Sequence, residues 1–134
     1  MTAKEWLLRG RRLKSRIQAL QTSKAKAFAR ATSAVVSDGE RISGGVPADH
    51  HAAYAALSLE VDRQLAALAR TRAEILQGIG QVEDNTLAAL LTEYYINDRT
   101  WEEVAVGLGY SWRWVMKLHE RALREVAAIL AKRT

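Results

Sequence analysis

TWEEVAVGLGYSWRWVMKLHERAL, residues 100–123, is the stretch that decides the fold of the C-terminal part of the chain. Thr100 and Glu103 have the spacing of a capping box, in which the side chain of each residue accepts a hydrogen bond from the backbone N–H of the other at the start of a helix. Gly109 ends that helix, because glycine adopts the positive φ of a sharp turn at little cost. Ser111 is placed to cap a second helix from Trp112 to about Lys132. The stretch therefore predicts two helices joined by a tight turn.

The spacing of small and apolar residues matches the twenty-residue frame of a helix-turn-helix that begins at Trp101. Ala105 is then fifth, where two crossing helices leave room only for a small side chain, and Gly109 is ninth, in the turn. The remaining positions that should face inward are apolar: Val104, Leu108, Tyr110, Val115 and Leu118. A tight helical hairpin that never touches DNA has the same pattern and stays the structural alternative.

The outer face of the second predicted helix carries the candidate site. Arg113 and Lys117 are four residues apart, so both can enter one groove, and Arg113 has the geometry for a bidentate contact to guanine. Arg121 and Arg124 lie further along and are expected on phosphates. Trp112 suits either a thymine methyl or sugar or a protein contact. The predicted DNA-binding set is Ser111, Trp112, Arg113, Lys117, Arg121 and Arg124, with Met116 and Glu120 near the same face, whereas Trp114, Trp101, Tyr94 and Tyr95 are expected to pack.

Two long amphipathic helices are predicted upstream. A capping box of Thr2 and Glu5 starts the first at residue 3, and it ends near Val36. The second covers about 50–82, after a glycine-rich loop at 37–49. Their apolar stripes are Trp6, Gly10, Leu13, Ile17, Leu20, Ala27 and Ala31 in the first, and Tyr54, Leu57, Val61, Leu65, Leu68, Ile75, Ile79 and Val82 in the second.

An amphipathic helix cannot bury its apolar stripe alone, so these two helices predict an antiparallel, coiled-coil-like hairpin, closed further by a second subunit. The predicted organisation is all-α, with a helical hairpin and oligomerisation region at 1–82 and a helix-turn-helix domain at 83–134. The latter begins with a helix capped by Asn85 or Thr86 and ended by residues 97–99. Gly78 and Gly80 are expected to weaken the end of the second long helix.

Charge is distributed unevenly along the 134 residues. Segments 1–36, 37–82, 83–110 and 111–134 carry net charges of +8, −2, −5 and +4, which agree with the total of +5. Basic ends predict an anionic partner, most simply double-stranded DNA, or acidic patches within an oligomer. The cations of the first helix, Arg9, Arg11, Arg12, Lys14 and Arg16, fit three roles: a phosphate clamp, a solvated face, or partners of such acidic patches.

Several function classes lack their signatures. The chain has no cysteine, which excludes disulfides, thiolate chemistry and cysteine-ligated zinc. No stretch reaches the ~20 apolar residues of a membrane span, and no secretory signal opens the chain. We find no phosphate loop or nucleophile motif, and His50, His51 and His119 lack the spacing of a metal site. The expectation is a cytoplasmic protein without enzymatic activity, cofactor, metal or membrane partner.

Residues 100–126 resemble region four of sigma-70-type factors, whose helix-turn-helix contacts promoter DNA. The whole chain, from TAKEW at 2–6 through YSWRWV at 110–115 to LHERAL at 118–123, is similar to small phage and prophage proteins of Gram-positive bacteria, described as late transcriptional regulators of the ArpU and RinA type. The resemblance implies a sequence-specific DNA-binding regulator of phage genes with DNA-facing positions at Ser111, Arg113, Lys117 and Arg121. Trp112 and Trp114 depart from the polar residues usual in a sigma recognition helix, and nothing in these 134 residues resembles the region that melts promoters, so a complete sigma factor is not expected.

Two other functions stay open from the sequence. A phage packaging protein similar to a terminase small subunit also joins a helix-turn-helix to oligomerising helices. A module that binds bacterial RNA polymerase without contacting DNA would have the same helices, because region four also docks on the core enzyme. The number of subunits in the oligomer distinguishes the packaging protein, because a ring of eight or more favours it. The effect of removing Arg113 and Lys117 on promoter activation distinguishes the polymerase-binding module.

Overall fold

The computed structural model describes residues 1–33 and 48–133, and every regular element in these ranges is helical. This confirms the all-α prediction. Five α-helices and one π-helical segment follow one another along the chain: α1 Ala3–Ser33, α2 Ala48–Ile79, α3 Asn85–Leu91, the π-helical segment Thr92–Ile96, α4 Trp101–Leu108 and α5 Trp112–Ala131.

The chain divides into two compact units, and both long helices pass from one unit into the other. The larger unit contains Met1–Arg12 and Leu68–Thr134, and the smaller contains Leu13–Ala67. The predicted boundary between residues 82 and 83 falls inside the larger unit.

The larger unit has one continuous apolar core built from both ends of the chain. Its fully buried members come from α1, α2, α3, α4, α5 and the π-helical segment, and include Leu7, Ile75, Leu90, Leu91, Tyr95, Val104, Val115, Ala122 and Val126. Trp6 packs directly on Gly78, where a Cβ atom would lie only 2.7 Å from the indole Cη2. Arg9 forms an ion pair with Glu74 at 3.0 Å. The first turns of α1 are therefore an integral part of this core.

In the smaller unit, a narrow stripe of each long helix is buried. The buried apolar residues are Ile17, Ala27, Ala31 and Val61, which confirms the predicted stripes at these positions. The rings of Phe28 and Tyr54 lie 5.5 Å apart, and the Lys24 ammonium lies 5.7 Å from the Tyr54 ring centroid. Fewer apolar side chains are buried here than in the larger unit, so less apolar area is removed from water.

The connection that leads into α4 is fixed by two arginines. Arg11 donates a 2.7 Å hydrogen bond to the Tyr94 carbonyl, and its guanidinium lies 4.2 Å from the Tyr94 ring centroid. Arg72 pairs with Asp98 at 3.1 Å, at the one non-glycine residue with positive φ (59°) in the described chain. Aspartate tolerates this backbone region better than most residues. Both cations hold the segment from which α4 begins.

Several predicted boundaries and burials are corrected. The helix α2 begins at Ala48, so Ala48 and Asp49 are helical rather than part of the loop; a carboxylate in the first turn is favourable at the positive end of the helix dipole. The helix α3 is capped by Asp84, whose carboxylate accepts from the N–H groups of Thr86 and Leu87, and not by Asn85 or Thr86. Leu65 is exposed, not core. The rest of the predicted loop and the end of α1 near Val36 lie outside the described residues.

The described helices contain no segment of the length and apolar character needed to cross a membrane.

Candidate nucleic-acid interface

The start of α4 is fixed by the predicted capping box. The Glu103 N–H donates to the Thr100 hydroxyl at 3.1 Å, and the Thr100 N–H donates to the Glu103 carboxylate at 2.8 Å. Hydrogen bonds from the backbone and the side chain of Thr100 to the Glu103 carboxylate stabilise its ionised form and lower the pKa of Glu103. The local sequence is therefore sufficient to begin α4 at Trp101, as predicted.

The turn between α4 and α5 has the predicted glycine geometry. Gly109 has φ 76° and lies in the left-handed region, and its N–H donates to the Ala105 carbonyl at 2.9 Å, as does the N–H of Tyr110 at 3.0 Å. Two residues later the Ser111 hydroxyl accepts from the Trp114 N–H at 3.1 Å. The chain thus leaves α4 and enters α5 within three residues, with each helix end satisfied.

Most of the predicted inward positions of α4 and α5 are buried. Val104, Ala105, Val115 and Leu118 all belong to one apolar cluster. Tyr110, however, is 40% exposed, so its predicted inward position is wrong. Trp114, expected to pack in the core or at its edge, is 43% exposed and therefore lies outside the core. Met116, expected near the outer face, is half-buried and packs against the core.

The outer face of α5 presents the predicted cations to solvent. Arg113, Lys117, Arg121 and Arg124 are all exposed, and no carboxylate of the described residues pairs with any of them. Because α5 advances 1.5 Å per residue, the stripe from Arg113 to Arg124 is about 16 Å long. We refer to these four residues as the α5 basic stripe. Ser111 and Trp112 lie at its N-terminal end and are exposed as well.

The cations of α1 are used differently. Arg9 and Arg11 are half-buried and engaged with Glu74 and with the Tyr94 carbonyl and ring. Arg12 and Arg16 are exposed. The hydrogen bond from Gln64 lowers the pKa of Glu60, and the charges of Arg63 and Arg16 contribute less in the same direction. Arg9 therefore has the third of the predicted roles, pairing with a carboxylate. Arg11 binds the segment before α4, so neither arginine is free to clamp a phosphate.

The sequence analysis missed the buried role of His119. Its Nε2 atom lies 2.6 Å from the Tyr95 hydroxyl, and its ring centroid lies 4.5 Å from that of Trp101. Trp101 in turn stacks on Tyr94 at 3.8 Å. A signal was present, because His119 follows Val115 by four residues and precedes Ala122 by three, on the face of α5 that packs inward.

This aromatic cluster joins the π-helical segment, α4 and α5. Burial lowers the pKa of His119 to about 4, with a further contribution from Lys4. Burial also raises the pKa of Tyr95, so a protonated phenol and a neutral imidazole share this hydrogen bond. The cluster connects the middle of α5 to the π-helical segment and to the start of α4.

The described residues provide no group of three histidine, aspartate or glutamate side chains that could hold a metal ion. His50 and His51 are consecutive on α2, and His119 is occupied by Tyr95.

Comparisons of the chain with models of protein families, with curated proteins and with solved structures find no match. The resemblance to region four and to phage late regulators has no support from these comparisons.

Proposed function

We propose that the chain is a sequence-specific DNA-binding transcriptional regulator of phage or prophage late genes. In this proposal α4, the Gly109 turn and α5 form a helix-turn-helix, and α5 lies in the major groove of double-stranded DNA. The observation that carries the proposal is the α5 basic stripe: four cations on one helix, all exposed and without carboxylate partners among the described residues.

The position of the α5 basic stripe favours a role in contacting nucleic acid over a role as a solvated surface without a partner. Its N-terminal end adjoins the start of α5, and the N-terminal residues of a recognition helix contact base edges. The free N–H groups at a helix start also favour phosphate. Arg113 and Lys117 are placed for base or groove contacts, whereas Arg121 and Arg124 are placed for phosphates.

Oligomerisation belongs to the same proposal. The long helices α1 and α2 form the antiparallel hairpin that joins subunits, so that two copies of α5 contact half-sites about 34 Å apart or at a multiple of that spacing. Exposed Phe28 and Leu59 on these helices provide apolar surface for such an association. A dimer or tetramer by native mass spectrometry supports this arrangement, whereas a ring of eight or more subunits supports the packaging alternative.

A second candidate function rests on a different surface. Val106 of α4 is 83% exposed and lines an open depression with Arg99, Glu102, Glu103 and Gly107. An exposed apolar residue beside two carboxylates is better suited to a protein than to a polyanion. This surface supports the polymerase-binding alternative, in which removal of Arg113 and Lys117 leaves transcription activation intact and Val106→Glu abolishes it.

Equilibrium titration of fluorescent duplex DNA at several salt concentrations tests the proposal. We expect the logarithm of the binding constant to fall linearly with the logarithm of salt, with a slope of about −0.9 for each phosphate neutralised. Arg113→Ala with Lys117→Ala should weaken binding at every salt concentration, whereas Arg70→Ala, which removes an exposed cation of α2, serves as the control. No binding at about 50 mM salt, or a binding constant independent of salt, overturns the proposal.

A further inference from the structure

The four tryptophans of the chain fall into two groups. Trp6 packs on Gly78 and lies beneath the guanidinium groups of Arg9 and Arg133. Trp101 stacks on Tyr94 and contacts His119. These two indoles are part of the core of the larger unit, and their conformations are explained by the fold.

Trp112 and Trp114 have no such explanation. They are 53% and 43% exposed, and neither makes a ring contact or a side-chain hydrogen bond with any described residue. Their indole N–H groups are free donors. About half of each side chain stays exposed, so these two residues in one helical turn forgo a large part of the burial that normally stabilises a tryptophan.

The two indoles lie on opposite sides of the α5 basic stripe. Successive residues of an α-helix are about 100° apart, so Trp112 and Trp114 are separated by about 200° around α5. Arg113 lies midway between them, about 100° around the helix from each. Lys117 follows Arg113 four residues later on the same face. An exposed indole therefore stands on each flank of the cations that enter the groove in the proposed function.

We infer that Trp112 and Trp114 contact the C5-methyl groups of thymines in the major groove, so that α5 selects thymine on both sides of the base pair that Arg113 contacts. The inference deepens the proposed function and rests on it. The thymine methyl is the apolar group that the major groove displays, and it distinguishes an A·T from a T·A pair. An indole face supplies apolar area for this contact without a hydrogen-bonding requirement.

The positive charges of Arg113 and Lys117 between the indoles favour DNA over a protein as the partner that contacts them. A protein partner that covered both indoles would also bury Arg113 and Lys117, at a cost of several kcal/mol unless it supplied carboxylates at the same spacing. A duplex meets this condition everywhere, because phosphates border both edges of its grooves.

The experiment uses DNA that differs only in the thymine methyl. The full-length chain selects duplexes from a random 30-base-pair pool, and the enriched sequence is synthesised with thymine or with deoxyuridine at every thymine position. Burial of one methyl group corresponds to about a fourfold gain in affinity, and two contacted methyls to more than tenfold. We expect the thymine duplex to bind more tightly than the deoxyuridine duplex by a factor in this range.

Variants assign that factor to the indoles. Trp112→Ala and Trp114→Ala should each reduce the thymine-to-deoxyuridine ratio toward one, while Trp112→Phe should retain part of it. Lys117→Ala should weaken binding to both duplexes equally and leave the ratio unchanged. About half of each tryptophan side chain is covered, so we expect the alanine variants to unfold at lower temperature, and binding is measured well below that temperature. Unfolded protein would weaken binding to both duplexes alike, so a change in the ratio reports lost contact and not lost fold.

A ratio of one in the wild-type chain, with salt-dependent binding preserved, overturns the inference and leaves the proposed function standing. Absence of salt-dependent binding to any duplex overturns both. A change in oligomeric mass upon Trp112→Ala or Trp114→Ala, without a change in the ratio, assigns the indoles to subunit contact and also overturns the inference.

Discussion

The Tyr95 hydroxyl and His119 Nε2 lie 2.6 Å apart inside the aromatic cluster, linking the π-helical segment to the middle of α5. Burial favours the protonated phenol and the neutral imidazole, so the pair shares a hydrogen bond between uncharged groups. Protonation of His119 would therefore place a charge inside this buried cluster. Half-exposed Trp101 covers the histidine ring.

Acidification should destabilise the chain through His119. Its pKa is lowered from 6.5 to about 4 in the folded chain, so the unfolded chain binds this proton more tightly. The stabilisation is fully present above pH 6.5 and is lost as pH falls toward 4, by up to about 3 kcal/mol. Urea unfolding of the wild type and His119→Gln across this range measures it. The variant should have the shallower pH dependence, and His51→Gln, at an exposed histidine, should match the wild type; equal slopes for wild type and His119→Gln refute the prediction.

Two glycines two residues apart should respond to alanine in opposite directions. Gly109 has φ 76° and open space around its missing Cβ, so Gly109→Ala costs about 1 kcal/mol of backbone strain, and Gly109→Val more. Gly107 lies within α4 with equally open space, and Gly107→Ala should stabilise the chain by up to about 1 kcal/mol. Thermal unfolding of both variants checks the pair. The assignment of the turn fails if Gly109→Val melts like the wild type.

Gly78→Ala should displace Trp6. The added Cβ would lie 2.7 Å from the indole Cη2 and 3.1 Å from Cζ3, so the ring has to move, at a cost of about 1 to 3 kcal/mol. Combining Gly78→Ala with Trp6→Leu removes the clash, and the two effects should be less than additive. Chemical denaturation of the four proteins gives the coupling free energy. Strict additivity would show that the two side chains do not contact each other.

The sequence predicted the C-terminal part best where local chemistry decides the structure. The capping box of Thr100 and Glu103, the turn at Gly109 and the cap at Ser111 each depend on residues within four positions, and all three are confirmed. The exposure of the α5 basic stripe follows from the same helical period. Its role in binding DNA stays a prediction.

Other features depend on packing between distant segments. His119 lies on the inward face of α5 by helical period, but the Tyr95 hydroxyl that contacts its Nε2 atom comes from another element. Trp114 is apolar by type, yet it is 43% exposed. The roles of Arg9 and Arg11 likewise depend on residues more than sixty positions away along the chain. Periodicity assigns a face to each of these residues but not the partner that occupies it.

The salt dependence of duplex binding, measured for the wild type and for Arg113→Ala, Lys117→Ala, Arg121→Ala and Arg124→Ala, tests the central claim most directly. If α5 binds DNA, the logarithm of the wild-type binding constant should fall steeply with the logarithm of the salt concentration. The magnitude of this slope should decrease by about 0.9 in each variant that removes a phosphate contact, with no decrease in Arg70→Ala. Equal slopes in the wild type and all four α5 variants would contradict the assignment of α5 as the DNA-binding helix.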